Sequence, residues 1–166
     1  MTSPTLIRAC SVAPLDIPLH VPFGISGGAQ AMANNVLVTI ELADGTRGYG
    51  EAAPLPPYNG ETQAMALTAL NGVHAWLLGR DGNDWRALAA EFSTRGGLGC
   101  GSAQCALEMA LLDAWTRQRG EPMWRFFGGA STTLETDMTV TTGTVAEAAE
   151  AARAIRARGI RMIKVK

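Results

Sequence analysis

The spacing of apolar positions divides the chain into a strand-rich beginning, a helical middle and a mixed end. Leu6 to Leu19 is rich in alternating and β-branched residues, the two-residue period of a half-buried strand, although Pro14 and Pro18 limit how much of it can pair centrally. No period survives from Val21 to Ala33, where glycine and alanine dominate, and a mobile loop is expected there. Val36 to Leu42 reads as a strand, Ala43-Asp44-Gly45-Thr46 as a turn and Arg47 to Ala52 as the returning strand. That is a hairpin. Pro54-Leu55-Pro56-Pro57-Tyr58-Asn59-Gly60 is expected as a loop, because so much proline suits neither a ladder nor a helix interior.

Glu61 to Leu78 is expected as one helix, with Ala64, Leu67, Leu70, Val73, Ala75 and Leu77-Leu78 on its apolar side. A shorter helix over Trp85 to Phe92 has Asp84 as its expected cap. The clearest helix follows Ser102, with Ala103, Ala106, Leu107, Ala110, Leu111 and Ala114 at i, i+3, i+4 and i+7, and it stops at Gly120 and Pro122. Pro122 opens one more turn through Trp124, Phe126 and Phe127, closed by Gly128-Gly129, and these aromatic residues read as core between two domains. From Thr132 the pattern changes. A strand over Leu134 to Thr141, an Ala-rich helix over Thr144 to Arg158 closed by Gly159, and a strand over Ile160 to Lys166 make a βαβ unit, which requires a parallel sheet. The domain boundary is expected near Ala130, giving 1–130 and 131–166.

Composition narrows the class. With 47% hydrophobic and 17% charged residues and a net charge of −1, the 166 residues describe a globular α+β protein, with no basic stripe for nucleic acid or an anionic membrane. Cys10, Cys100 and Cys105 form no CxxC and have no neighbouring histidines, so a disulfide framework or zinc site is not expected. The amino terminus has neither the basic start nor the apolar core of a signal peptide, and no run approaches the roughly 18 apolar residues of a membrane helix. A cytoplasmic protein is the expectation.

Candidate chemistry lies at the end. Twelve of the 14 basic residues are arginine, and the two lysines are Lys164 and Lys166, flanking Val165 on the last predicted strand. Strand alternation puts both on one face, about 6–7 Å apart, and sends Ile163 and Val165 to the other. Arginine does not deprotonate in proteins, but lysine does once its pKa falls. At a pKa near 10.4 about one lysine in a thousand is neutral at pH 7.5, so a neutral amine costs roughly 4 kcal/mol. A second ammonium nearby and partial burial both lower that cost, so Lys164 can tune Lys166 as a base. Elsewhere His20 borders the expected loop and is a candidate substrate contact. His74 reads as structural, Asp113 as a buried hydrogen-bonding group, and Glu51 as pocket wall or scaffold.

From Gly101 on, the chain resembles the enolase superfamily, in its mandelate racemase/muconate-lactonising branch, and most of all the dipeptide epimerases of the L-Ala-D/L-Glu type. Ser102 to Trp115 is similar to the family's last capping-domain helix, Phe127-Gly128-Gly129 to its exit into the barrel, and Thr133 to Val140 to the first barrel strand. Lys164-Val165-Lys166 resembles the KxK of the second strand. Earlier, Pro22-Phe23, the hairpin and Gly48-Tyr49-Gly50-Glu51-Ala52 fit the same family.

The resemblance implies an enolase-type capping domain over 1–130, then the first strand, helix and strand of a (β/α)8 barrel over 131–166. It implies a soluble, homo-oligomeric Mg2+ enzyme that removes the proton α to a carbonyl of a small dipeptide through an enolate. Lys166 would be the base. Lys164 would contact the substrate oxygen, and Thr139 would touch substrate. Phe23, Ile25 and Tyr58, on segments Pro22–Gly28 and Pro54–Tyr58, would close over the pocket and choose the side chain. The metal ligands and an opposing lysine would lie on later strands, so a longer native polypeptide is expected. The pattern departs at Gly28, where some Ala-Glu epimerases carry an arginine for the glutamate, which opens the way to a neutral or hydrophobic dipeptide. Rival expectations are a muconate cycloisomerase, an o-succinylbenzoate synthase, an N-acylamino acid racemase, or a non-catalytic assembly module.

Overall fold

A computed structural model of the chain describes residues 3–25, 28–141 and 143–165. It divides into two compact units, one of Met1–Ile17 and Ala33–Gly128, the other of Pro18–Met32 and Gly129–Lys166.

The first unit is a three-stranded sheet covered by helices. Strand β1 (Ile7–Ile25) pairs with β2 (Gly28–Leu42), which pairs antiparallel with β3 (Arg47–Ala52), giving the order β1-β2-β3. The register runs from Val36 opposite Ala52 to Glu41 opposite Arg47, as the expected hairpin requires. On β2, Val36, Val38, Ile40 and Leu42 are buried, so the period of two in the sequence marks the core face. The opposite face carries Glu41, which accepts hydrogen bonds from Arg8 and Arg47; these hold its carboxyl below the usual range, Arg8 contributing most.

Helix α5 (Gly101–Gln118) lies across the inner face, with the expected stripe of Ala103, Ala106, Leu107, Ala110, Leu111 and Ala114 fully buried. Its closest approach is to β3, whose inward positions are Gly48, Gly50 and Ala52. A Cβ on Gly50 would run into the Ala106 carbonyl oxygen and come within 2.7 Å of the Ala110 nitrogen; one on Gly48 would meet the backbone of Ala110 and Ala114. Backbone against backbone leaves nothing that can move aside. Asp113, on the outer side of α5, accepts from the Tyr49 N–H at 3.0 Å and from Arg117 at 2.8 Å, satisfying an edge-strand donor. It is the hydrogen-bonding group expected, though only partly buried.

Four local expectations need correction. Val21 to Ala33 is not an irregular loop in its described part. β1 runs on to Ile25 and β2 starts at Gly28, because the backbone ladder supplies the order that Gly and Ala side chains do not signal. The proline-rich stretch contains one helical turn, α1 (Pro56–Asn59), since proline at the first helical positions presets φ and sacrifices only donors that have no partner there. The long helix is broken into α2 (Gln63–Ala69) and α3 (Val73–Leu77) around Gly72, whose φ of 75° a helix does not continue through. Asp84 makes no cap for α4 (Trp85–Thr94); the chain enters α4 through a 3₁₀ turn at Gly82–Asp84 that Asp81 caps by accepting from the Asn83 N–H at 2.9 Å.

The cap of α5 is also not the expected one. Ser102 lies inside the helix, and the first donors are met by Glu61, whose carboxylate accepts from the Gly101 and Ser102 N–H groups at 2.7 and 3.0 Å. Hydrogen bonding, from the Ser102 hydroxyl above all, holds the Glu61 carboxyl below its usual range. A depressed carboxylate stabilises the fold at neutral pH and ceases to do so as acidification protonates it. Glu61→Ala should therefore cost about 1 kcal/mol at pH 7, as loss of a helix cap does. Its urea midpoint should fall below that of the parent at pH 7, and the gap should close under acid. An unchanged midpoint at pH 7 would contradict the capping role.

At the exit of the unit, Trp85, Trp115 and Phe126 pack with ring centroids 5.5 to 6.4 Å apart, so Phe126 of α6 (Met123–Phe126) joins the core. Trp124 and Phe127, expected alongside it as core, are exposed. His74 is exposed as well. Among the described residues no helix is long and apolar enough to cross a membrane.

The second unit contains the tip of the β1–β2 hairpin together with β4 (Asp137–Val140), α7 (Val145–Ala157) and β5 (Met162–Val165). β4 and β5 are parallel, as the βαβ pattern requires. Both are shorter than expected, since the ladder begins only where Asp137 meets Met162. Thr144 and Glu147 cap α7 reciprocally, and Val140 and Ile155 are its buried apolar pair.

Candidate active site

The parallel register sets Met138 opposite Ile163, Thr139 opposite Lys164 and Val140 opposite Val165. Val140 is buried on the side where α7 packs on β4, so alternation assigns Thr139 and Lys164 to the other face. Two expected site residues from separate segments thus meet at the carboxyl ends of neighbouring strands. Thr139 is half-buried and Lys164 exposed. The ion pairs among the described residues all use arginine, including Arg161 with Glu135 at 3.6 Å before β5, and no carboxylate neutralises Lys164. An ammonium left free in this way can meet an anionic oxygen. Lys166 lies outside the described residues.

Phe23 belongs to the same unit, on the outgoing arm of the hairpin tip, and is 38% exposed. Ile25 ends that arm and Gly28 opens the returning one. His20 is exposed on the tip. Tyr58 stands on α1 in the first unit and is 82% exposed. Glu51 faces outward from β3 and accepts from the Asn35 side chain at 2.5 Å, which favours the scaffold alternative.

Sequence inspection overlooked the returning arm, whose Met32 is 38% exposed in the same unit as Lys164. Small residues hid the strand period there, but the Ser26-Gly27-Gly28 run is a turn signal between two arms and could have revealed it. Also overlooked was a polar group at the neck of the hairpin, Asp16, Asn34 and Gln63, whose partners lie 18 and 47 residues from Asp16. No local pattern announces such pairs.

Among the described residues no three His, Cys, Asp or Glu side chains gather as a metal-ligand set. A divalent ion does not fit the residues present here.

A three-stranded sheet wrapped on a central small-residue helix, leading into a parallel strand–helix–strand with an unpaired lysine, defines an enolase-type capping domain joined to the opening of a second domain. Residues 7–128 match the mandelate racemase/muconate lactonizing enzyme N-terminal domain, and the chain belongs to that family. It is 51% identical over 163 residues to an aromatic dipeptide epimerase of Herpetosiphon aurantiacus, covering 98% of this chain and 46% of the relative. A hydrophobic dipeptide epimerase of Citrifermentans bemidjiense is 35% identical, over 90% of this chain and 42% of its own length. A crystal structure of the Methylococcus capsulatus dipeptide epimerase, complexed with Mg and the dipeptide L-Arg-D-Lys, superposes with a TM-score of 0.87 at 33% identity, over 96% of this chain and 45% of that one. The chain thus spans less than half the length of these relatives.

Proposed function

We propose that this chain is the amino-terminal part of a Mg2+-dependent dipeptide epimerase whose substrates carry an uncharged, apolar side chain. Residues 1–130 serve as the capping domain and 131–166 open the barrel. The observation that carries the proposal is the pairing of Thr139 with Lys164 at the carboxyl ends of parallel strands, in one compact unit with the hairpin tip. That end of a barrel strand is where catalytic side chains gather. The relatives named above support dipeptides as the substrate class.

Each residue has a role in this scheme. Lys166 takes the α-proton with its neutral amine. Lys164 stays charged and meets the oxygen on which charge develops, which stabilises that charge and favours the neutral amine of its neighbour. Thr139 orients the substrate beside Lys164. Phe23, Ile25 and Tyr58 line the side-chain end of the pocket. The Mg2+, which in this scheme is held by residues outside this chain, would add further positive charge at the oxygen.

The apolar preference follows from the tip. Pro18 to Met32 contains no Asp, Glu, Lys or Arg, so it offers a charged side chain no partner. Leaving a substrate carboxylate unpaired costs about 3 kcal/mol, close to 10²-fold. The longer protein in D2O should exchange the α-proton of L-alanyl-L-phenylalanine about 10²-fold more efficiently than that of L-alanyl-L-glutamate, read by proton NMR. Equal efficiency would refute the side-chain assignment, and exchange with no dipeptide would refute the epimerase.

A further inference from the structure

We infer that Asp16 and Gln63 are positioning residues that couple the two segments choosing the substrate side chain, the hairpin tip and the Pro54–Tyr58 stretch, an inference that rests on the epimerase proposal. The hairpin crosses from the first unit to the second between Ile17 and Pro18 on its way out and between Met32 and Ala33 on its return. Asp16 and Asn34 flank that neck. The Asp16 Oδ1 accepts from Asn34 Nδ2 at 2.9 Å, which braces one arm against the other. The same oxygen accepts from Gln63 Nε2 at 2.8 Å, and that nitrogen also donates to the Asn35 carbonyl oxygen at 2.7 Å. Asn35, 8% exposed, in turn donates to Glu51 on β3.

Gln63 is the first residue of α2, five positions after Tyr58. Between them Glu61 ties the chain to the start of α5 and Thr62 caps α2 by accepting from the Met65 N–H. The stretch bearing Tyr58 is thus anchored at its end by three consecutive side chains, and the third of these grips the neck of the hairpin bearing Phe23. Hydrogen bonds from Asn34 first and Gln63 second keep the Asp16 carboxyl below its usual range, so at neutral pH the neck has a charged acceptor for both donors. These bonds lie near the surface, where water replaces them readily, and their loss costs the fold little. What they determine is the path of the two arms where they leave the sheet.

The test uses the full-length protein. Asp16→Ala and Gln63→Ala should each raise KM for an apolar dipeptide about fivefold, the factor set by one hydrogen bond, with kcat and Tm close to the parent. Both should narrow the discrimination between large and small apolar side chains. They should also speed backbone amide exchange in 18–25 and 28–32 without changing it in β3 or α5. The double variant should be no worse than either single one, because each removes the same link. Asp16→Asn, which keeps an acceptor oxygen, should restore most of the KM. Parental KM, side-chain discrimination and tip exchange in Gln63→Ala would overturn the coupling. So would a joint fall of kcat and Tm with exchange rising throughout the first unit, which marks a structural role. If the parent epimerises no dipeptide, the epimerase proposal fails by itself, and tip exchange alone then decides whether Asp16 and Gln63 hold the hairpin.

Discussion

Replacing Lys166 by arginine in the longer protein is expected to lower epimerisation by about 10²–10⁴-fold, the usual worth of a positioned general base. Guanidinium keeps the charge and much of the length of lysine but does not give up its proton, so it cannot receive one from the α-carbon. The same loss is expected for Lys166→Ala, with one added signature. If a second base serves the opposite face, solvent deuterium should still enter the isomer whose proton faces that base, while the other isomer stays unlabelled. Lys164→Ala should instead slow exchange of both isomers together, because it weakens stabilisation of the shared oxyanion and leaves Lys166 harder to deprotonate. The check is proton NMR of each stereoisomer in D2O. Retention of most turnover by Lys166→Arg, or equal labelling of both isomers by Lys166→Ala, would remove Lys166 from the chemistry.

Gly50→Ala is expected to be the most damaging methyl group that can be added to the chain. The new Cβ would collide with the Ala106 carbonyl and lie 2.7 Å from the Ala110 nitrogen, so either β3 or α5 must shift as a whole. Overpacking usually costs about 1–3 kcal/mol where side chains can yield, and here only backbone faces backbone, so about 4 kcal/mol or more is expected. That is a large part of the roughly 5–15 kcal/mol that holds a typical domain folded. Gly101→Ala is the control. Its Cβ would meet nothing nearer than Glu61 Oε1 at 3.4 Å, so it should be neutral, or stabilising by about 0.5 kcal/mol, through loss of freedom in the unfolded chain. Urea midpoints of the two variants against the parent decide the matter. A Gly50→Ala midpoint close to the parent's would mean that α5 does not lie against β3 as described.

The elements legible in advance were those whose own side chains face a core. The α5 stripe was readable because each of its apolar residues recurs at helical spacing on the buried face, and the β2–β3 hairpin because inward and outward residues alternate around a turn. The Thr139–Lys164 pairing followed from the same logic, since strand–helix–strand forces parallel strands and alternation then fixes the faces. The hairpin tip was missed for the opposite reason. Its described side chains are small or exposed, and the order there comes from hydrogen bonds between backbones, which carry no side-chain signature.

The sequence by itself thus determined the α+β class, the buried face of the central helix, the change to a parallel strand–helix–strand near Ala130 and the pair of lysines at its end. Each rests on periodicity or residue type within a short window, and short windows are what local sterics and hydrophobic burial read. Only the tertiary structure decided that Glu61 caps a helix forty residues away, that Gly48 and Gly50 are glycine because Ala106, Ala110 and Ala114 press against them, and that Asp16 meets Gln63. These are contacts between segments distant in sequence. A polar or small residue has the same local appearance whether its partner is a remote backbone or water, and the chain must fold before the two can be told apart.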